Sequence, residues 1–216
     1  MEVVLTLIKY RVLTVCGDKA VAPFTEWERK TILDYHNELR ANVSQGKAKN
    51  YKGNLSSAKN MYKLRYDCKM EGKVQAELDK NLVRITFDNG YGQNVARFTK
   101  SENRDKDILH ALESWSNPVL FYGIKNEENR YDDDRLYTFA NMIYAKTLRF
   151  GCGYKDEGET VIISCIYNLI GAYPNNILYE EGEMCKKAKD CTMYPASKCE
   201  KATGLCKYSG PAPNPG

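Results

Sequence analysis

The 216-residue sequence predicts an α+β fold, a sandwich of helices and strands followed by a short disulfide-rich C-terminal segment. Amphipathic helical patterns fill the first half of the chain, a β-branched segment comes later, and the eight cysteines are concentrated towards the C-terminal end. With 43% hydrophobic residues, the chain can bury a core without cross-links. The cysteines therefore indicate an oxidising compartment outside the cytosol, and we expect a secreted protein.

Residues 1–24 are predicted to form an N-terminal extension. The apolar run from Val3 to Ile8 is interrupted by Lys9 and Arg11, so it is too short for the hydrophobic part of a signal peptide or for a membrane span. We interpret the segment as a remnant, an artificial extension or an extra strand. The rest of the sequence contains no run that could cross a bilayer, so no membrane span is expected.

The main domain is predicted over residues 25–180 and begins with a helix. Thr25 and Glu28 have capping-box spacing, in which each side chain accepts a hydrogen bond from the backbone amide of the other residue. Gly46 supplies the stop of this helix. Its apolar stripe recurs at helical spacing and consists of Ile32, Tyr35, His36, Leu39 and Val43.

Two further helical patterns follow, separated by a turn-rich stretch that becomes apolar, "TFDNGYGQNVARF". The second helix begins near Cys68, and Pro118 must end or kink the third. The apolar positions of the second pattern are Met70, Val74, Leu78 and Leu82, and those of the third are Ile108, Leu109, Leu112 and Trp115.

From Tyr137 the apolar period shortens to two, which predicts a strand leading to the glycine-flanked Cys152. Alternate side chains would face opposite sides of the sheet, with Phe139, Asn141 and Ile143 on one side and Ala140, Met142 and Tyr144 on the other. The later segment "ETVIISCIYNL" is β-branched throughout and predicts a strand buried on both faces.

Residues 181–206 form a predicted cysteine-rich hinge with the spacing C-x5-C-x7-C-x6-C. The hinge contains few apolar residues, so its order must come largely from two disulfides. The sequence alone leaves three pairings open for its four cysteines, Cys185, Cys191, Cys199 and Cys206. Residues 207–216, "KYSGPAPNPG", are predicted to be a flexible tail that cannot pack.

The net charge of +4 comes from 32 basic and 28 acidic residues that are interspersed along most of the chain. This distribution gives little support to nucleic-acid binding. Two local charge runs stand out, "CKKAKDC" in the hinge and "NEENRYDDDR" over residues 126–135. Each is most simply a solvated loop.

Two N-glycosylation sequons begin at Asn42 and Asn54. They fall close together in a polar stretch after the first helical pattern. We therefore expect both asparagines on a surface loop, where a glycan can be attached.

Several ordered motifs resemble the CAP superfamily of cysteine-rich secretory proteins, antigen 5 and pathogenesis-related proteins. They are "HNELR", "YDC", "GQNVA", "SW", "TFANMIYAKTLRFGCG", "CIYNLIGA" and the terminal cysteine-rich segment. The resemblance covers about Thr25 to Cys206 and is strongest to the nematode venom-allergen-like branch. It implies a three-layer α-β-α sandwich, the CAP fold.

The resemblance also implies a disulfide pattern for the hinge, with Cys185 joined to Cys199 and Cys191 joined to Cys206. Four cysteines then remain for the main domain. Their pairing is predicted as Cys16 with Cys68 and Cys152 with Cys165.

The family cleft usually holds a divalent metal with two histidines and two glutamates, a ligand set that suits zinc. Here the residues matching those motifs differ: Thr138 replaces a histidine, Gln93 replaces one glutamate and Pro118 falls at the other. Asn141 lies in the same degenerate motif as Thr138. We therefore expect no metal, no cofactor and no catalysis at this cleft.

The sequence contains two histidines, His36 and His110. His36 lies on the apolar stripe of the first helix and is expected to be a hydrogen-bonded structural residue. His110 lies near Glu113 at helical spacing, but without a second histidine or a serine elbow it is a weak candidate for a general base.

With a silent cleft, function is expected on exposed loops held by a rigid scaffold. The branch that the chain resembles includes hookworm proteins that block leukocyte or platelet integrins. We therefore predict a secreted, non-enzymatic parasite effector that binds a host cell-surface protein, with an integrin as the best candidate, although no RGD or KGD tripeptide occurs. The candidate binding residues are Glu127, Glu128, Arg130, Asp132, Asp133, Lys186 and Lys187.

An alternative function is a lipid carrier, because some members of the family bind sterols or fatty acids. In that case the aromatic-rich segment "SWSNPVLFYG" would line an apolar groove, although such residues at helical spacing are more often core. A hydrolase is expected only if the fold assignment is wrong.

Overall fold

The computed structural model of the chain describes residues 14–19, 23–80, 84–87 and 90–213. The apolar run from Val3 to Ile8, interpreted above as a remnant, an extension or a strand, lies outside these described residues, as does the second-helix position Leu82.

Helices and strands alternate along the described chain. The helices are α1 (Glu26–Ser44), α2 (Cys68–Leu78), α3 (Arg104–Ser116), α4 (Pro118–Phe121) and α5 (Tyr137–Ile143), with 3-10 turns at Gly17–Lys19, Asp134–Leu136 and Ala188–Asp190. The strands are β1 (Ala58–Lys59), β2 (Arg65–Tyr66), β3 (Gly92–Thr99), β4 (Arg149–Asp156), β5 (Thr160–Tyr167), β6 (Glu180–Glu181), β7 (Lys198–Glu200) and β8 (Leu205–Lys207).

Helix α1 begins where the capping box predicts. The Glu28 amide donates to the Thr25 hydroxyl at 3.1 Å, and the Thr25 amide donates to the Glu28 carboxylate at 2.6 Å. Gly46 follows the C-cap residue Gln45 with a φ of 66°, a left-handed conformation that suits glycine and ends the helix. The predicted apolar stripe faces the core and is buried or half-buried.

The central sheet has the strand order β2-β4-β5-β3. Strand β5 pairs antiparallel with both β4 and β3, and β2 pairs parallel with β4. As the β-branched sequence predicts, β5 is buried from Val161 to Tyr167. Two-stranded pairs, β1 with β6 and β7 with β8, lie outside this sheet.

Helices cover both faces of the sheet, giving the predicted α-β-α sandwich. Helix α2 packs on one face through a cluster that includes Met70, Val74 and Ile162. Helices α1, α3 and α5 build the larger core on the other face. The α2 backbone lies so close to β4 that a Cβ atom added at Gly151 would be 2.7 Å from the Asp67 carbonyl oxygen, so this contact requires glycine.

The strand predicted from Tyr137 is wrong, because residues 137–143 form helix α5. Both sides of this segment, including Phe139, Asn141 and Met142, are buried against other elements. A helix that is apolar all round gives no hydrophobic period by which it can be told from a buried strand. The glycine-flanked Cys152 lies instead in the middle of β4.

Helices α2 and α3 fall in the predicted segments. The apolar face of α3 is narrower than predicted, because Leu109 is 41% exposed while Ile108, Leu112 and Trp115 are buried. Pro118 ends α3 and occupies the first turn of α4, where its missing amide hydrogen costs little.

A buried ion pair joins α1 to α2. The Arg29 guanidinium donates to both carboxylate oxygens of Glu71, at 2.8 Å and 2.5 Å, and the two side chains are 1% and 0% exposed. The Tyr66 hydroxyl donates to the same carboxylate at 2.6 Å. Burial with this negative charge beside it raises the pKa of Tyr66 well above its usual value.

The residues after α5 are held by a buried arginine. The Arg40 guanidinium donates to backbone carbonyl oxygens of the segment from Met142 to Thr147 and, through Nε, to that of Tyr62. Burial lowers the pKa of Arg40 to about 9. Because each N–H finds a carbonyl acceptor, the buried charge positions the end of α5 against α1.

The eight cysteines form four disulfides. They are Cys16–Cys68, Cys152–Cys165, Cys185–Cys199 and Cys191–Cys206. The first joins residues 14–19 to the start of α2, the second joins β4 and β5 at directly paired positions, and the other two lie in the hinge.

The prediction that the chain after Cys206 cannot pack is wrong for residues 207–213. Tyr208 stacks on Tyr194 with ring centroids 5.0 Å apart. The Asn168 amide donates to the Pro213 carbonyl oxygen at 3.1 Å. These contacts order the segment although its composition is that of a linker.

Candidate functional site

Three of the four predicted cleft positions, Gln93, Thr138 and Asn141, lie at the contact between α5 and the start of β3. Gln93 is in β3, Thr138 and Asn141 are in α5, and Pro118 opens α4. The structure brings Gln93 and Asn141 together, since Asn141 Nδ2 donates to the Gln93 carbonyl oxygen at 3.3 Å. The Thr138 hydroxyl donates to the Trp115 carbonyl oxygen at 3.0 Å, just before α4.

The Asn141 side chain links three parts of the fold. Its Oδ1 accepts from the amides of Gly171 and Ala172 at 3.0 and 3.1 Å, and its Nδ2 also donates to Asn94 Oδ1 at 3.2 Å. These bonds use the polar atoms of a residue that is 0% exposed. Asn141 therefore fixes backbone geometry, and an amide so placed supplies neither a proton-transfer group nor a strong metal ligand.

His36 lies in the core, where it is 0% exposed. Nδ1 donates to the Ile32 carbonyl oxygen at 2.8 Å, and Nε2 accepts from the Tyr167 hydroxyl at 2.9 Å. Burial lowers the pKa of His36 to about 4 and raises that of Tyr167 far above its usual value. Both groups therefore stay neutral at physiological pH and act as structural hydrogen-bonding residues, as predicted for His36.

Sequence reasoning missed that His36 connects to the cleft positions through Tyr167 and then Asn94. Asn94 Nδ2 donates to the Tyr167 oxygen at 3.3 Å and to the Thr138 carbonyl oxygen at 3.0 Å. The signal was available in part, since Asn94 and Tyr167 are polar residues inside otherwise apolar strand patterns. Their long-range contact depends on the register of β3 with β5.

His110 lies on the exposed side of α3 against Phe98, with ring centroids 4.6 Å apart. Glu113, on the next turn of the same helix, lines the same shallow surface region as His110. His110 packs against the ring of Phe98, which is a structural contact.

The charged loop, residues 126–135, is held in one conformation by its own hydrogen bonds. Asn126 accepts from the Arg130 amide at 2.6 Å, and Arg130 also contacts Glu128 and donates to the Asn175 carbonyl oxygen at 3.0 Å. Hydrogen bonds from Arg135 lower the pKa of Asp133 to about 2. Glu127, Glu128 and Asp132 are exposed, whereas Arg130 and Asp133 are half-buried.

The hinge lysines Lys186 and Lys187 are exposed. Their backbone amides donate to the Asp190 carboxylate at 2.9 and 3.0 Å, and the Lys186 ammonium pairs with Glu183 at 2.6 Å. The hinge is bound to the core, for example through Ser44, whose hydroxyl donates to the Gly204 carbonyl oxygen at 2.9 Å. The lysines are thus presented by a fixed scaffold.

The two sequons lie in different environments. Asn54 is exposed after α1, and its side chain donates to the Gly46 carbonyl oxygen at 3.1 Å. Asn42 lies within α1, and the hydroxyl of its sequon residue Ser44 is buried. The expectation of a surface loop is therefore wrong for Asn42.

The aromatic-rich segment proposed as a groove wall does not form one surface. Trp115 is 1% exposed in the core and Phe121 is 67% exposed on the outside. The segment contributes part of its side chains to the core and part to the surface, and Trp115 is a core residue, as aromatic residues at helical spacing more often are.

Among the described residues, the sulfur atoms of Cys185, Cys191 and Cys206 lie close enough together to suggest a metal site. They belong to disulfides, however, and are not thiolate ligands. Among the described helices, none combines the length and apolar character needed to cross a membrane.

Comparison with known proteins places these features in context. A family model described as "CAP: Cysteine-rich secretory protein family" matches residues 33–167. "Ancylostoma secreted protein" from Ancylostoma caninum is 35% identical over 185 residues, which are 84% of this chain and 43% of the relative. "Cysteine-rich venom protein" from Tityus serrulatus is 27% identical over 210 residues, 92% of this chain and 50% of the relative. The chain spans about half the length of these relatives.

Solved structures show the same architecture. Na-ASP-1 superposes with a TM-score of 0.83 and 32% identity, covering 89% of this chain and 48% of that one. BmVAL-1 gives a TM-score of 0.77 and 30% identity over 86% of this chain and 96% of that one. The hookworm platelet inhibitor superposes with a TM-score of 0.65 and 22% identity, covering 85% of this chain and 92% of that one. This similarity establishes a shared fold.

Proposed function

Because this chain belongs to the CAP family of cysteine-rich secretory proteins, we propose that it acts outside the cell as a non-enzymatic protein that binds a host cell-surface protein. The target class that we propose is an integrin on platelets or leukocytes, and the consequence of binding is a block of cell adhesion.

The observation that carries this proposal is the use of the cleft side chains inside the fold. The side chains of Thr138 and Asn141 form hydrogen bonds with backbone atoms of neighbouring elements. His36 is neutral and enclosed. The described residues of this region therefore serve packing, and the exterior is left to carry function.

The charged loop supports the proposal because it combines exposure with a fixed shape. Glu127, Glu128 and Asp132 face solvent, while Asn126 and Arg130 tie the loop to itself and to residue 175. A binding loop that is already ordered loses little conformational entropy when it meets its partner. The platelet inhibitor with the same fold motivates platelets as the first cell type to test.

The test uses the disulfide-intact, full-length chain labelled with a fluorophore. We expect saturable binding to platelets or leukocytes and to purified integrin ectodomains, together with inhibition of adhesion. Replacing Glu127, Glu128 and Asp132 by their amides should weaken binding about tenfold. The matched control is the double amide variant Glu157→Gln and Glu159→Gln, in the β4–β5 turn.

Binding that is absent from both cell types and all integrin ectodomains would reject the proposed target. Equal binding by the loop variant and the control would show that the partner contacts a surface other than the charged loop. Co-purified sterol or fatty acid, found by mass spectrometry in place of cell binding, would support a carrier instead.

A further inference from the structure

A surface groove of about 520 Å³ runs beside helix α1. Helix α1 contributes Lys30, Leu33 and Asp34 to its lining, and residues 63–66 around β2 contribute Arg65 and Tyr66. Residues 207–209, which follow the hinge, and Val15 are also among the lining residues. Its volume lies in the range of natural binding pockets.

The groove walls are fastened to the core. The Cys16–Cys68 disulfide anchors the segment that carries Val15. The Tyr66 side chain, part of the lining, donates to the buried Glu71 carboxylate. On the other side, the Lys63 amide donates to the Cys206 carbonyl oxygen at 2.8 Å. A groove with such fixed walls needs little ordering when a ligand enters.

The charged residues that line the groove are mostly positive: Asp34, which pairs with Lys30, is the carboxylate among Lys30, Lys63, Arg65 and Lys207. Lys63 and Lys207 both pair with the Glu200 carboxylate, at 2.9 and 2.5 Å. One negative charge therefore lies between two positive charges and neutralises only one of them. Lys198 lies directly opposite Lys207 across the β7–β8 pair. Like charges at directly opposite positions of a β-pair destabilise it unless an anion is near.

Arg65 adds a cation whose described hydrogen-bond acceptors are neutral, while the nearby Asp67 carboxylate pairs with Arg149. Within the part of the chain that the structure describes, the Arg65 guanidinium donates to the carbonyl oxygens of Ser209 and Gly210, at 3.4 and 2.9 Å. Burial and the neighbouring Arg149 lower the pKa of Arg65, and the Asp67 carboxylate offsets part of this effect. A second carboxylate placed in the groove would offset the remaining repulsion.

Leu33, Leu64 and Tyr66 form the apolar part of the lining, which we call the floor of the groove. We infer that the groove binds an extended acidic peptide segment of the partner protein, with an apolar side chain on the floor and carboxylates beside Arg65 and Lys207. This inference rests on the proposed function, since it names the part of a protein partner that would be recognised.

Two other occupants fit less well. A single-headed amphiphile would neutralise cations at one point, whereas the groove has Lys30 on α1 and Lys63 and Lys207 beside the hinge. A sulfated polysaccharide would match the charges but would leave the apolar floor unused. An acidic peptide with apolar side chains uses both features.

The experiment measures fluorescence anisotropy of an end-capped, labelled heptapeptide of alternating glutamate and apolar residues, with phenylalanine at its centre. The full chain is used, so residues that lie outside the described ranges are present in every measurement. We expect saturable binding that weakens with added salt and falls about tenfold when glutamine replaces glutamate in the peptide. The double variant Arg65→Gln and Lys207→Gln should also bind about tenfold more weakly.

The matched control is Lys146→Gln, which removes an exposed lysine outside the groove and should leave peptide binding unchanged. Circular dichroism checks that each variant is folded. Equal binding of the glutamate and glutamine peptides would overturn the inference. So would binding of oleate or a heparin oligosaccharide at the groove when the peptide does not bind.

The same variants separate this inference from the proposed function. If no form of the protein binds platelets, leukocytes or integrins, the proposed function fails whatever the peptide does. If the wild type binds cells and the groove variant binds them equally well, the groove is not the docking place and the inference fails alone.

Discussion

In the central sheet, β5 is buried from Val161 to Tyr167 and helices cover both faces. In the hinge, most side chains are exposed or half-buried, and two disulfides join cysteines that are 14 and 15 residues apart. Burial thus stabilises the sheet, whereas covalent restriction of the unfolded chain stabilises the hinge. The hinge can therefore present polar side chains without having to bury them.

This difference separates two kinds of perturbation. A change inside the sandwich should lower the stability of the whole domain, because its elements share one core. A change in the hinge should remain more local, because the hinge cysteines pack in a small cluster around Tyr62 and Cys206, whereas Leu205 joins the hinge to the main core.

The largest effect is expected for Arg29→Met. This change leaves the Glu71 carboxylate buried without its cation, so the free energy of unfolding should fall by about 3–5 kcal/mol. Denaturant unfolding followed by circular dichroism measures the loss. The control is Arg97→Met, which breaks the partly exposed pair with Glu157 and should cost less than about 1 kcal/mol. Equal decreases in the free energy of unfolding for the two variants would show that the buried pair contributes no more to stability than the partly exposed one.

Removal of one hinge disulfide should have the next largest effect, but a local one. The double variant Cys191→Ala and Cys206→Ala removes a constraint on a 15-residue separation, which is worth about 3 kcal/mol. Hydrogen exchange should increase over residues 181–206 while the amides of β4 and β5 keep their protection. An equal loss of protection in the sheet would contradict the separation of the two regions.

Acid should weaken the sandwich through His36. Its pKa is about 4 in the folded chain and about 6.5 when unfolded, so below pH 6.5 the unfolded state binds a proton that the folded state excludes. The free energy of unfolding should fall by about 2 kcal/mol between pH 7 and 5. Denaturant titrations at the two pH values measure this slope.

The histidine control is His110→Gln, an exposed position that leaves His36 and its hydrogen bonds in place, so the slope due to His36 should remain. In His36→Gln the slope should be lost, whatever the effect of the substitution on stability at pH 7. A slope that persists in His36→Gln would assign the acid sensitivity to other groups.

The smallest effect is expected for Glu200→Gln in the hinge. Burial acts to raise the pKa of Glu200, but hydrogen bonds from Lys207, Lys63 and Thr203 lower it to about 2. Loss of this half-exposed anchor should cost about 1 kcal/mol. Proteolysis of the β7–β8 segment would report it, with Glu183→Gln, at an exposed ion pair, as the control. The Glu200 variant should be cleaved faster than the control.

Local sequence signals predicted the parts of the fold that depend on local interactions. The capping box at Thr25 and Glu28, the start of α2 near Cys68 and the β-branched strand β5 all follow from neighbouring residues. Helix α5 was predicted as a strand because both its sides are buried, which removes the polar face that distinguishes the two periods.

The candidate sites depend more on contacts between distant segments. The cleft positions could be aligned by their motifs, but the bonds from Asn141 to residues 171 and 172 require the folded chain. The groove beside α1 combines residues near positions 15, 33, 65 and 207. Lys63 and Arg65 alternate with an apolar residue, yet this pattern does not show which segments will face them.

The contact between α2 and β4 limits how this protein can change over generations. At Gly151 even a methyl group would collide with the backbone of the helix, and at Gly153 it would meet Val74 at 2.8 Å. Substitutions there should keep the helix from packing on the sheet. Tolerated changes are consequently expected on the outside of the molecule, where side chains do not enter this contact.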